Sequence, residues 1–315
     1  MRLLSVRRLA QLLNCSVARL REIADEIDCD VNSHYRFHSE RKPGSDIARH
    51  YMVPTHELKE IHKKIKSNVL TLFPISGVAH GGIRGRSPRS NAAKHLGQRW
   101  LVTLDVKSFF PNVRHYIVHD MFSKEMGCGR EVAWLLTRLT TLNAQLPQGA
   151  PSSTAVANLV LTLAVDEHVA ALAQKNGSFS TRFVDDIALS GNDPQSLIDP
   201  TVRALSRKRL PIWRKSAKYQ SRPKFKITPN SRRQEVTGLV VNAASGPSVP
   251  KRYRDGVRAA IFQLRNIADV EERRLAERSI RGRIAYVGTC NPGPAAKLAA
   301  LLARQCEVGM YGGLA

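Results

Sequence analysis

From Val6 to Ile27 the apolar residues Leu9, Leu12, Leu13, Val17, Leu20, Ile23 and Ile27 recur at helical spacing and are interrupted at Asn14 to Ser16, which predicts two short amphipathic helices. A second helical pattern covers Thr55 to Leu70, where Leu58, Ile61, Ile65 and Val69 share a face and Lys59, Lys63, Lys64 and Lys66 interleave. The stretch HGGIRGRSPRSN, His80 to Asn91, has no period and reads as a loop from its turn chemistry. From Trp100 to Val113 the pattern predicts a short buried strand reaching Asp105, then a turn, then a helix opened by Pro111. The most apolar stretch, Ala155 to Val165, belongs to a helix with Pro151 in its first turn that runs to about Ala173. TRFVDDIALSG, Thr181 to Gly191, reads as a β-hairpin with Asp185 and Asp186 set between apolar triplets. Lys224 to Ile227 and Val236 to Val241 read as strands. Beyond Val249 the period is helical, with Val257, Ile261, Leu264 and Ile267 inward and breaks at Pro250 and at Asn291 to Pro294.

Strand, helix, helix, then an antiparallel strand pair is an α+β order, and it allows Asp105 and the hairpin to lie on neighbouring strands. The 315 residues suffice for two or three lobes. Lys and Arg number 49 against 26 Asp and Glu, a formal charge of +23, so an extended polyanion is the expected partner, nucleic acid first. No lipidation signal is found, and no apolar run approaches the roughly 20 residues a bilayer span requires, so no membrane partner is expected. Arg7 and Arg8 break the amino-terminal apolar segment before a secretory core forms, and a cytoplasmic protein is expected. The five cysteines are odd in number and lack C-x-x-C spacing, which predicts reduced, mostly buried thiols and neither a disulfide framework nor a zinc site.

The two adjacent carboxylates pose the chemical question. A solvated Asp-Asp turn is one answer; the other is a divalent cation, whose hard charge gathers oxygen ligands that otherwise repel. Asp105 is the third carboxylate, at the end of a buried strand, where an acid is costly unless it is paired or metal-bound. With the hairpin beside it, the set suits two Mg²⁺ ions and nucleotidyl transfer, one ion activating a hydroxyl nucleophile and the other clamping a triphosphate.

LDVKSFFP, LPQGAPSS and FVDD, in this order, resemble the palm motifs of reverse transcriptases. NAAKH (Asn91 to His95) and VTG (Val236 to Gly238) resemble two signatures of the retron-type enzymes, and RGRIAYV (Arg281 to Val287) falls where these carry a helical thumb. The resemblance implies a right-hand polymerase, with fingers, a palm whose antiparallel sheet packs on helices, and a helical thumb. The expected divisions are an N-terminal helical segment (1–50), fingers (51–99, with a further piece around 114–145), palm (100–245) and thumb (246–315). By resemblance Asp105, Asp185 and Asp186 are the catalytic aspartates, Asp186 the less direct ligand, with the Val106 carbonyl completing the metal shell. Phe110 matches the aromatic gate against ribonucleotides, while Phe109 fits a core aromatic. Gln148 and Gly149 match the loop that packs on the incoming deoxynucleoside triphosphate, Phe183 a stacking position, Lys224 and Arg49 triphosphate contacts. Asn91, His95, Val236, Thr237 and Gly238 are implied in RNA binding.

The same resemblance implies a cognate structured non-coding RNA as template and primer, a branched RNA–DNA product, and an effector protein alongside in antiphage defence. Two departures stand out. Phe183-Val184 replaces the usual Tyr-Ala, and Gly82 stands where an aromatic follows His-Gly. The rival readings are another bacterial reverse transcriptase class, of group II intron or abortive-infection type, and a catalytically silent RNA-binding scaffold; the three aspartates speak against the scaffold.

Overall fold

The computed structural model describes residues 3–41, 48–212 and 225–311, with side chains through Cys306. The chain forms two compact units, Met1–Ser87 with Trp100–Ile227, and Pro88–Arg99 with Thr228–Ala315.

The first unit opens on α1 (Val6–Leu13) and α2 (Val17–Cys29). Each begins on a serine whose hydroxyl accepts a backbone N–H, Ser5 from Arg8 at 3.2 Å and Ser16 from Arg19 at 3.1 Å. Asn14, at φ 46°, ends α1 in the left-handed region, as the polar break predicts. After the short α3 (Val31–His34), β1 (Tyr35–Arg41) and β2 (Ala48–Pro54) pair as an antiparallel ribbon. The predicted Thr55 to Leu70 helix is α4 (His56–Lys64), prolonged by a π turn at Ile65–Val69 and a 3₁₀ turn at Leu70–Leu72. The segment α5 (Pro88–Ala92) is helical where turn chemistry predicts loop, and belongs to the second unit.

The central sheet has the order β4-β5-β3-β6, built from β3 (Trp100–Asp105), β4 (Phe179–Phe183), β5 (Asp186–Gly191) and β6 (Lys226–Pro229), whose first two residues close the first unit. Helix α6 (Phe109–Asn112) opens at Phe109 instead of Pro111, because Ser108 at φ 46° turns the chain directly after the strand. Then come α7 (His115–Asp120), α8 (Arg130–Thr140), α9 (Ser153–Leu161) and α10 (Glu167–Lys175), the last two joined through a π turn at Thr162–Asp166, and α11 (Ile198–Arg207). Pro151 lies in the turn before α9 and not in the helix.

By length and composition the run Ser153–Lys175 is long and apolar enough to cross a bilayer, contrary to the sequence expectation. More than half of its most apolar stretch is buried inside the protein, and α9 contributes Val156, Ala157, Leu159 and Leu161 to the core of the first unit. Of the five cysteines only Cys128 is buried; Cys29 is exposed and the others are half-buried, so the expectation of mostly buried thiols fails.

In the second unit, Val236 to Val241 is a hairpin and not one strand. β7 (Glu235–Val236) pairs with β8 (Leu239–Val240) around a two-residue turn at Thr237 (φ 48°) and Gly238 (φ 80°). Two positive φ angles make this a type I′ turn, whose twist matches the strands it joins. Three helices follow and pack on one another: α12 (Lys251–Gln263), α13 (Val270–Gly288) and α14 (Pro292–Tyr311). Their shared core includes Val257, Ile261, Leu264, Ile280, Ile284, Val287 and Leu298. Asn291 marks the break before α14, where its Oδ1 accepts the Val249 N–H at 2.7 Å.

Candidate active site

The register of two strands sets the three aspartates at adjoining positions. β3 and β5 run antiparallel with Asp105 opposite Asp186, and the Val106 N–H donates to the Asp185 carbonyl at 3.2 Å. β4 and β5 are joined by the two-residue turn Val184-Asp185, closed by the pair Phe183 and Asp186. Val184 has φ 60°, whereas Asp185 is absent from the positive-φ residues, the pattern of a type II′ turn that ordinarily takes glycine first. A β-branched residue held there is strained by about 1–3 kcal/mol, a cost concentrated at functional sites. Asp105 is buried, Asp185 half-buried and Asp186 exposed.

Among the described residues no group of three or more His, Cys, Asp or Glu side chains is gathered closely enough to hold a metal. Register supplies the juxtaposition, and convergence of like charges on one point is favourable only around a cation. The donor set, carboxylates beside the backbone of Val106, has the hard oxygen chemistry of a divalent-ion site.

Phe109 and Phe110 divide as expected by burial. Phe109 is 4% exposed in the core, and Phe110 is half-buried with its ring centroid 5.6 Å from that of Phe109. Gln148 and Gly149 are fastened to the β1–β2 ribbon: the Met52 N–H donates to the Gln148 carbonyl at 2.7 Å, and Gly149, at φ 119°, passes so close to Met52 that a Cβ would lie 3.2 Å from its carbonyl oxygen. The helix start after this loop is held from α4, where His62 Nδ1 and the Ser152 hydroxyl share a hydrogen bond of 2.6 Å. Burial pushes the His62 imidazole down to about 3, so it is neutral at ordinary pH. Phe183 is half-buried at the end of β4, and Arg49 is exposed on β2 opposite Glu40. Lys224 lies outside the described residues. Gly82, at φ 71°, has no room for a larger side chain, since a Cβ would lie 2.6 Å from the Thr154 methyl.

The two signature strings meet inside the second unit, where α5 packs on the β7–β8 hairpin and the Thr237 hydroxyl donates to the Pro88 carbonyl at 3.1 Å. Asn91, His95 and Val236 are buried, Thr237 half-buried and Gly238 exposed. Nothing lies within 4 Å of where a Gly238 Cβ would be, so this glycine answers the turn's positive φ and neither a close approach nor crowding.

The family profile of reverse transcriptases (RNA-dependent DNA polymerases) matches residues 41–210, from the end of β1 through α11, and covers the three aspartates, the Gln148–Gly149 loop and the Asn91–His95 string but not the β7–β8 hairpin. The chain belongs to the reverse transcriptase family. Among its relatives, the reverse transcriptase of retron Mx65 from Myxococcus xanthus is 31% identical over 306 residues, covering 87% of this chain and 68% of the relative. That of retron Mx162 from the same organism is 30% identical, covering 96% and 67%. The retron Ec86 reverse transcriptase of Escherichia coli is 27% identical over 231 residues, 73% of this chain and 70% of the relative. This reverse transcriptase is therefore of the retron type, an RNA-directed DNA polymerase with the right-hand α+β fold of its family. Such enzymes use divalent metal ions.

Three residues behind the reverse transcriptase's aspartates escape the sequence reading: Arg182, and Asp166 and Asn158, which both accept hydrogen bonds from it, all three buried. For Asn158 and Asp166 the one sequence signal is a polar or charged side chain inside an otherwise apolar helix; Arg182, in the mixed strand FSTRF, gives none.

Proposed function

We propose that the enzyme copies a cognate structured non-coding RNA into DNA, with Asp105, Asp185 and Asp186 and the Val106 carbonyl holding two Mg²⁺ ions and deoxynucleoside triphosphates as substrates. The observation that carries this reading is the Asp105 to Asp186 register with Asp185 in the adjoining turn. Two divalent ions, when bound, lower the pKa of an attacking hydroxyl and neutralise charge on the triphosphate and leaving group. The chain's own residues orient the reactants. Phe110 closes the space beside the sugar and excludes a 2′-hydroxyl, the Gln148–Gly149 loop backs the incoming nucleotide, Phe183 stacks near the primer end, and Arg49 and Lys224 draw in the triphosphate. Helices α12 to α14 serve as the thumb. The exposed edge of the Thr237–Gly238 turn contacts RNA, with Asn91 and His95 shaping the segment from beneath.

The net charge of +23 suits this substrate, and its contribution weakens with salt as counterions are released. The proposal extends to a branched RNA–DNA product begun from an internal 2′-hydroxyl, and to a cytoplasmic role in phage defence beside an effector protein. The test is Asp185→Asn, which should abolish Mg²⁺-dependent incorporation while retaining fold and RNA affinity. Unchanged incorporation would remove the metal assignment.

A further inference from the structure

Arg182 is 1% exposed and lies two residues before the strained Val184. Its guanidinium is fully engaged. Nε donates to Asp166 Oδ1 at 2.9 Å and Nη2 to Asp166 Oδ2 at 2.7 Å, a two-point grip. Nη1 donates to Asn158 Oδ1 at 2.8 Å and to the Val184 carbonyl at 2.9 Å. Asn158 in turn donates from Nδ2 to the Gly81 carbonyl at 2.8 Å, and a Cβ on Gly81 would fall 2.6 Å from the Val184 Cγ2 methyl. Main-chain bonds fix Arg182 as well: its N–H donates to Val78 and its carbonyl accepts from His80, at 2.8 and 2.7 Å. Val184 is thus held at its carbonyl by Arg182 and enclosed on its side chain by Gly81.

The helix is shaped for this contact. Asn158 and Asp166 are eight residues apart, which in a regular α-helix is about 2.2 turns and leaves the two side chains roughly 80° out of line. The π turn at Thr162–Asp166 absorbs one residue, so the remaining separation is close to two turns and both side chains meet one guanidinium. Stability alone does not call for such an arrangement, since an apolar group of similar volume replaces a buried ion pair without loss in many proteins. What the ion pair adds is a fork aimed at the Val184 carbonyl, in a turn that a valine does not adopt unaided.

We propose that Arg182 is the positioning residue of the active-site turn: braced on Asp166 and Asn158, it holds the Val184 carbonyl and so keeps the Val184–Asp185 turn in the conformation that sets Asp185 beside Val106 and Asp186 opposite Asp105. The inference rests on the assignment of these aspartates as the metal-holding set.

The test compares Arg182→Lys in the natural chain and in a Val184→Gly background. Lysine keeps a cation beside Asp166, but one ammonium does not span Asp166, Asn158 and Val184 together. In the natural chain kcat for nucleotide addition should fall by about tenfold to a hundredfold. KM for the nucleotide and Kd for RNA should stay within about twofold, and the Mg²⁺ concentration for half-maximal rate should rise. Glycine takes a positive φ without being held, so against Val184→Gly the same lysine should cost no more than about threefold.

Full rate in Arg182→Lys, or an equal loss of kcat in both backgrounds, overturns the proposal. An inactive Val184→Gly does so too, because the turn would then need the valine itself. Where Arg182→Lys fails to fold, Asn158→Ala leaves the Arg182–Asp166 pair in place and takes its part in both backgrounds, with the same losses expected and the same results counting against the brace. Incorporation by Asp185→Asn overturns instead the assignment beneath.

Discussion

Asp105 and Asp186 stand opposite each other across the β3–β5 ladder, the first 4% exposed and the second open to solvent. A carboxylate in a dry site depends on a cation, whereas an exposed one is already hydrated. Asp105→Asn should therefore reduce incorporation to background. Asp186→Asn should retain activity reduced by about tenfold to a hundredfold, because solvent can replace a peripheral oxygen ligand. Steady-state incorporation on a primed RNA checks the order; equal losses would place Asp186 in direct contact with the ion.

Phe110 leans on Phe109 without being buried with it. Phe110→Ala should admit ribonucleotides and cost little stability, whereas Phe109→Ala should cost about 3–5 kcal/mol. The ratio of ribo- to deoxynucleotide incorporation, read together with thermal unfolding, separates the two. A Phe110→Ala enzyme still selective for deoxynucleotides would move the gate elsewhere.

The His62 imidazole, held down to about 3 by burial, refuses a proton that the unfolded chain accepts below about 6.5. Above that pH neither state is charged and the group leaves stability unaffected. Between about 6.5 and 3 the unfolded state gains, by at most roughly 1.4 kcal/mol per pH unit. His62→Gln removes this term, so the stability difference between natural chain and variant should shrink from pH 7 to pH 5. Denaturant titrations at both pH values measure it, and a constant difference would show that His62 titrates normally.

Choice of RNA is testable at the turn joining β7 and β8. Thr237→Ala removes the bond to Pro88, and Gly238→Ala puts a side chain at φ 80° at a cost of about 1–2 kcal/mol. The double variant should sharply reduce DNA synthesis on the cognate RNA while still extending a primer annealed to an unrelated template. Equal loss on both would give the turn a purely structural task.

The sequence pattern placed the end of β3 at Asp105, the hairpin carrying Asp185 and Asp186, and the break between α1 and α2, because period, burial and turn chemistry agree there. It missed the Thr237–Gly238 turn, since Val236, Leu239, Val240 and Val241 form an apolar run that hides two residues of positive φ. It missed α5, whose Pro88 opens a helix instead of prolonging a loop. The Arg182 brace was out of reach for another reason. Asp166 faces Arg182 only through the π turn, a departure from helical period that no spacing rule anticipates. The helix from Ser153 is legible in the pattern, but its span-like character is not, because Asp166 and Glu167 break its apolar residues into shorter runs.

The second unit is discontinuous, with residues 88–99 joined to those beyond Thr228. Domains tend to fold as they leave the ribosome, amino-terminal parts first, at about 5–20 residues per second. Here the segment with Asn91 and His95 emerges before the whole central sheet, yet the β7–β8 hairpin against which α5 packs is synthesised after it. Asp166 likewise leaves the ribosome before Arg182, so the apolar helix carries an unpaired charge until the hairpin follows. A nascent chain that has released Lys175 but not yet Arg182 would present a membrane-length helix without the partner that neutralises Asp166.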